Sequence, residues 1–90
     1  IKPDFDKAHY NLATALSIKR KNDEAITHFK VAIKLNPEWA LAHYGLGNAL
    51  FAEQKNGEAI VHYKAAIKLK PDLITAQNNL KKAISKLEEQ

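Results

Sequence analysis

The sequence predicts an all-α fold, a helical-hairpin solenoid of five helices. Three observations predict it. The sequence repeats every 34 residues: "VAIKLNPE" at 31–38 returns as "AAIKLKPD" at 65–72, and "NDEAI" at 22–26 as "NGEAI" at 56–60. With residues 8–37 laid over 42–71, more than half of the pairs are identical. Each period also holds two stretches with apolar residues at helical spacing, separated by a polar break. Two antiparallel helices per period are the arithmetic of stacked hairpins, each burying its apolar stripe against its neighbours.

The first helix is expected over 5–20. Ala8, Leu12, Ala15 and Leu16 share one face of a 3.6-residue period, and Asp4 suits its start. "KRKND" breaks the pattern, and Asn22 suits the left-handed turn that closes a helix. The second helix, 23–35, carries Ala25, Ile26, Phe29, Ala32 and Ile33 on its packing face. Asn36 and Pro37 then suit the start of a third helix over 38–54, because proline lacks an N–H that the first turn does not use. Its stripe is Ala42, Leu46, Ala49 and Leu50. After "EQKNG", where Asn56 and Gly57 suit the closing turn, a fourth helix is expected over 57–69 with Ala59, Ile60, Tyr63, Ala66 and Ile67 inward.

The fifth helix, 72–88, repeats the stripe as Ala76, Leu80 and Ala83, and then departs from the pattern. Lys81 stands where the other copies have Ala13 and Gly47, and "SKLEEQ" continues the helix without turn residues. A lysine fits that slot only if no helix packs there. The segment 72–90 therefore reads as a capping helix, with Ala76, Leu80, Ala83, Ile84 and Leu87 covering the open end of the second repeat. The alternative is the first helix of a third repeat. Pro3 lies one period before Pro37, so residues 1–3 read as the remnant of a preceding repeat. The organisation is then 1–3 remnant, 4–37 first repeat, 38–71 second repeat and 72–90 cap. With no Met at its start, the chain reads as a fragment of a longer array.

Composition narrows the function. Ninety residues make one domain at most. No cysteine is present, so neither a disulfide nor a thiolate metal site is available, which leans weakly toward a reducing, cytoplasmic setting. No signal peptide is visible, and no apolar run approaches the roughly 20 residues of a membrane span. The net charge of +4 favours acidic partners but is too small to argue for nucleic acid. One Arg and scattered lysines, without interleaved aromatics, do not make a base-stacking surface.

Nothing in the sequence points to catalysis. His9 and His43 are repeat equivalents, as are His28 and His62, so each equivalent pair stands about one helix spacing, roughly 10 Å, apart. That is too far to share one zinc ion. No H-E-x-x-H occurs, and no carboxylate follows a histidine at i+3 or i+4 to complete a site. Asp23, Glu24 and Glu58 occupy first turns, where negative charge suits the helix dipole. Ser17 and Thr27 have no activating base, and Gly45 and Gly47 lie inside a helix rather than in a phosphate-cradling loop. The expectation is a non-catalytic chain with no metal and no cofactor.

The repeating residues carry a resemblance. Leu12–Ala13, Leu16, Ala25, Phe29, Ala32 and Pro37 recur as Leu46–Gly47, Leu50, Ala59, Tyr63, Ala66 and Pro71. In period and spacing this resembles the tetratricopeptide repeat family, with small residues where helices cross closely. The departures are His9 and His43 in an aromatic slot, and Arg20 where the family often has Gly. The resemblance implies a right-handed α-α superhelix whose concave side is lined by the first helices of successive repeats. It implies a protein–protein interaction module that binds an extended peptide or partner segment there.

The helix faces opposite the packing stripe supply the expected groove. They carry Lys7, Tyr10, Asn11, Thr14 and Ser17 in the first copy, and Leu41, Tyr44, Asn48 and Phe51 in the second. The cap adds Thr75, Asn78, Asn79 and Lys82. Amide side chains offer donor and acceptor together to a peptide backbone. Tyrosine and Phe51 offer contact area at low entropic cost. One subclass of the family grips chaperone C-termini with Lys, Asn and Arg. Its positions here hold Tyr10, Thr14, Gly45, Thr75 and Asn79, which argues against a chaperone-tail clamp. Asn11 and Asn79 resemble instead the asparagine ladder of long-array members, which Gly45 interrupts. Two alternatives stand beside groove binding. One is a scaffold that self-associates through its repeat ends or convex face, with Ile1 and Phe5 on the exposed end. The other is a substrate-recruiting arm of a larger enzyme.

Overall fold

The computed structural model describes residues 4–90. The remnant repeat expected at 1–3, with Ile1 and Pro3, lies outside the described residues. Five helices follow one another: α1 Phe5–Ile18, α2 Asn22–Leu35, α3 Ala40–Ala52, α4 Asn56–Leu69 and α5 Ile74–Glu89. No strand occurs among the described residues. Each helix packs mainly on its chain neighbours, and α1 meets α3, and α3 meets α5, only marginally. The molecule is a slab of 47 × 28 × 17 Å, a solenoid of hairpins.

Alanine makes the close helix crossings. Ala13, Ala25, Ala32, Ala42, Ala59, Ala66, Ala76 and Ala83 are fully buried. Phe29, Tyr63, Leu46 and Leu50 fill the space between them. At Gly47 an added Cβ would stand 2.8 Å from the Tyr63 ring, so the slot that tolerates Ala13 must be smaller still beside Tyr63.

The turns differ from expectation. Asn22 and Asn56 open helices rather than closing them, and Gly57 has no positive φ. The left-handed residues are Arg20 and Gln54, each at φ 63°. Each lies in a Schellman turn. Lys21 N–H donates to Leu16 O at 2.8 Å and Arg20 N–H to Ser17 O at 3.0 Å, and the same pattern recurs at Lys55–Leu50 (2.9 Å) and Gln54–Phe51 (3.0 Å). Two intact backbone bonds per turn hold an arginine and a glutamine in a region that glycine prefers. Pro37 and Pro71 precede their helices by three residues. Each occupies the second position of a turn closed by Trp39 N–H to Asn36 O (3.3 Å) or Leu73 N–H to Lys70 O (3.1 Å).

The two copies of the apolar stripe are not equally buried. Leu46 is 1 % exposed, whereas its equivalent Leu12 is 45 % exposed, and Ala8 and Ala15 are exposed where Ala42 and Ala49 are buried. On α5, Ala76 and Ala83 are buried and Leu80 packs on the core, but Ile84 and Leu87 are exposed.

Candidate partner-binding groove

The first helices of the hairpins share one face, and α1 and α3 enclose a cavity of about 200 Å³ on it. Tyr10 and Thr14 line it from α1, Leu41, Tyr44 and Asn48 from α3, with Ser17 and Ile18 at one end. Its floor is Gly45 over Phe29. A Cβ at Gly45 would meet the Phe29 ring at 2.5 Å, so the missing side chain both admits the ring and opens the cavity. Tyr10 is held by two aromatic contacts, Trp39 at 4.4 Å and Phe29 at 5.9 Å between ring centroids. Thr14 bonds back to its own helix at Tyr10 O, 2.9 Å.

Asn48 and Asn79 are placed by hydrogen bonds. The buried Tyr63 hydroxyl donates to Asn48 Oδ1 at 2.6 Å. Asn79 Nδ2 donates to the same oxygen at 3.0 Å and to the Tyr44 hydroxyl at 3.2 Å. Burial, and then the nearby Tyr44, push the Tyr63 phenol well above its usual pKa, so it remains a donor. The network orients both amides. Asn48 Nδ2 and Asn79 Oδ1 have no intramolecular partner among the described residues, and neither is a buried unsatisfied atom. A donor and an acceptor therefore stand ready at the α3–α5 junction.

The other expected groove residues lie apart from this cavity. Phe51 is half-buried and lines a second cavity of about 470 Å³ with Gln54, Asn56, Lys86 and Glu89, the last two forming an exposed 3.7 Å ion pair. Lys7, Asn11, Thr75, Asn78 and Lys82 are exposed and line neither cavity.

Comparing repeat-equivalent histidines missed their actual partners. His9 Nδ1 meets His28 Nδ1 at 3.0 Å, and His43 Nδ1 meets His62 Nδ1 at 3.2 Å. The partners are 19 residues apart, across each hairpin. No group of three or more metal-ligating side chains gathers among the described residues. No described helix is long and apolar enough to cross a membrane.

The model of the TPR repeat family matches residues 18–53 and 47–87, well over half of the chain. The chain belongs to the tetratricopeptide repeat family. Among solved structures, it is similar to the first tetratricopeptide domain of Spaghetti (RPAP3), bound to the HSP90 peptide SRMEEVD. The TM-score is 0.90 and the identity 30%, over 92% of this chain and 66% of that one. It is also similar to the first such domain of human RPAP3, solved by NMR, with TM-score 0.87 and 31% identity over 90% of this chain and 64% of that one. The chain thus spans slightly less than two thirds of both tetratricopeptide relatives. No curated protein matches it.

Proposed function

We propose that this tetratricopeptide chain is a non-catalytic module that binds an extended peptide or partner segment along the face of α1, α3 and α5. The observation that carries the reading is the Asn48–Asn79 pair. Its inward atoms are committed to Tyr63, Tyr44 and each other, and its outward atoms offer a donor and an acceptor beside the Gly45 cavity. Extended backbone presents the complementary pair, and a cavity of about 200 Å³ takes one medium apolar side chain. The similar domain of Spaghetti is seen with a bound peptide. The net charge of +4 and the exposed Lys7 and Lys82 favour an acidic ligand.

The test is a peptide-library screen on the chain, with Asn48→Asp alongside. Aspartate keeps acceptors for Tyr63 and Asn79 but replaces the outward donor with a negative oxygen. Peptides selected by the parent should lose at least tenfold in affinity, about 1.4 kcal/mol, against a folded Asn48→Asp variant. Equal binding by parent and variant would sink the reading. SRMEEVD belongs in the panel, and it should bind weakly, because the clamp positions hold Tyr10, Thr14, Gly45, Thr75 and Asn79.

A second reading has its own observation. Phe5 and Leu12 lie two turns apart on one exposed face of α1. That apolar face suits self-association, and the molar mass across a concentration series, read by sedimentation, separates the two: groove binding leaves it constant, self-association raises it.

A further inference from the structure

From the histidine contacts we infer that each hairpin carries a two-imidazole chelating site for a divalent transition-metal ion, at His43–His62 and again at His9–His28. The site lies away from the groove and does not depend on it.

The geometry begins with the rings. The His43 and His62 centroids are 5.4 Å apart, which is the 3.2 Å nitrogen contact plus one ring radius at each end. With an interplanar angle of 22°, the rings meet edge to edge, Nδ1 against Nδ1. His9 and His28 repeat this at 5.2 Å, 3.0 Å and 21°. An ion about 2.05 Å from both nitrogens would subtend about 103° at the 3.2 Å pair and about 94° at the 3.0 Å pair. Those angles lie between the square-planar and tetrahedral values that copper(II) and zinc favour. At 3.2 Å the contact is an N–H···N hydrogen bond with His62 Nδ1–H as donor to the bare His43 Nδ1, so ligation moves that proton to His62 Nε2 while the rings turn about their soft terminal torsions to aim both nitrogens at one point. The backbones that carry them are packed helices.

The His43 tautomer is already the ligating one. Its Nε2 stands 2.9 Å from Pro37 O. A carbonyl only accepts, so Nε2 carries the proton and Nδ1 keeps its lone pair. An imidazole that donates its other N–H to a backbone carbonyl is the usual support of a metal-bound histidine. In the third copy of this position Gln77 donates Nε2–H to Pro71 O at 2.6 Å, so the carbonyl contact recurs while the ligand nitrogen does not. Burial, the neighbouring His43 and Lys30 together lower the proton affinity of His62, against a pull from Glu58, which favours the neutral imidazole that a metal needs. Glu58 stands one turn before His62 and lines the same hollow, with Lys30 opposite; Glu24 repeats the spacing before His28. Water completes the coordination.

The test uses the tag-free chain and ZnCl2 or CuSO4. Gln77 supplies the control substitution: His43→Gln and His9→Gln keep a donor for the carbonyl and remove the ligand nitrogen. Imidazole 15N shifts under zinc titration, isothermal calorimetry and the copper EPR spectrum report binding. The expected result is saturable uptake at both pairs, Cu2+ tighter than Zn2+. The His43→Gln chain should lose only the His62 response, the His9→Gln chain only the His28 response, and the double variant both. Unshifted histidine resonances in the parent at a large molar excess of zinc would overturn the inference. So would undiminished uptake by the folded double variant.

Discussion

The Tyr63 hydroxyl, on a side chain with no exposed surface, donates to Asn48 Oδ1 at 2.6 Å across the second hairpin. Asn48→Ala leaves that phenol buried without an acceptor and is expected to cost about 1–3 kcal/mol, whereas Tyr63→Phe removes only the donor, leaves Asn48 Oδ1 accepting from Asn79, and costs about 1 kcal/mol. Urea unfolding of both variants and of the double variant measures the coupling. Additive losses would show that the bond contributes nothing of its own.

Gly45 and Gly57 should respond oppositely to alanine. At Gly45 the new Cβ would stand 2.5 Å from Phe29 Cζ, and overpacking of this kind costs about 1–3 kcal/mol. At Gly57 a Cβ meets nothing within 4 Å, so Gly57→Ala should stabilise α4 by about 0.4–1 kcal/mol. Thermal unfolding midpoints that move in the same direction would contradict this.

Arg20→Gly and Gln54→Gly should each stabilise the fold. Both residues sit at φ 63°, where a side chain costs about 1–2 kcal/mol and glycine costs less. Part of that gain is returned as entropy of the unfolded chain, leaving a net of about 0.5–1 kcal/mol. Denaturant midpoints would show it, and a fall in either midpoint would mean that the native side chain makes an offsetting contact.

Acid should weaken the fold through His62. Burial, His43 and Lys30 hold its pKa below the ordinary value of 6.5, so the unfolded chain binds a proton more readily than the folded one. This contribution is fully present above about pH 6.5 and is lost as pH falls through the lowered folded value. In EDTA, the urea midpoint should drop as pH falls below about 6.5, and His62→Gln should flatten part of that slope. An NMR titration midpoint for His62 at or above 6.5 would contradict it.

The fold was legible because period and helical spacing are one-dimensional signals. They place the hairpins, the small-residue crossings and the shared face of Tyr10, Thr14, Leu41, Tyr44 and Asn48. What needs the register between helices was not legible. Nothing in the spacing says that Asn79 reaches Tyr44 and Asn48, that Phe51 turns to a second cavity, or that His43 meets His62 rather than aligning with His9. The closing turns misled for another reason. Asparagine is a good left-handed residue, but the Schellman bonds fall two residues earlier and hold Arg20 and Gln54 there. One hint was present, since Arg20 stands in the family's glycine slot.

The near-exclusive packing of each helix on its chain neighbours has a kinetic consequence. Nearly every contact closes a short loop, so the chain should collapse on the microsecond-to-millisecond scale of helical proteins. Cooperativity should also grade along the slab. Backbone amides in α3 and α4, flanked on both sides, should exchange with deuterium slowest, while α1 and α5 open first and independently. Since Asn79 belongs to α5, opening that terminal helix dismantles the amide pair while the central hairpin remains folded.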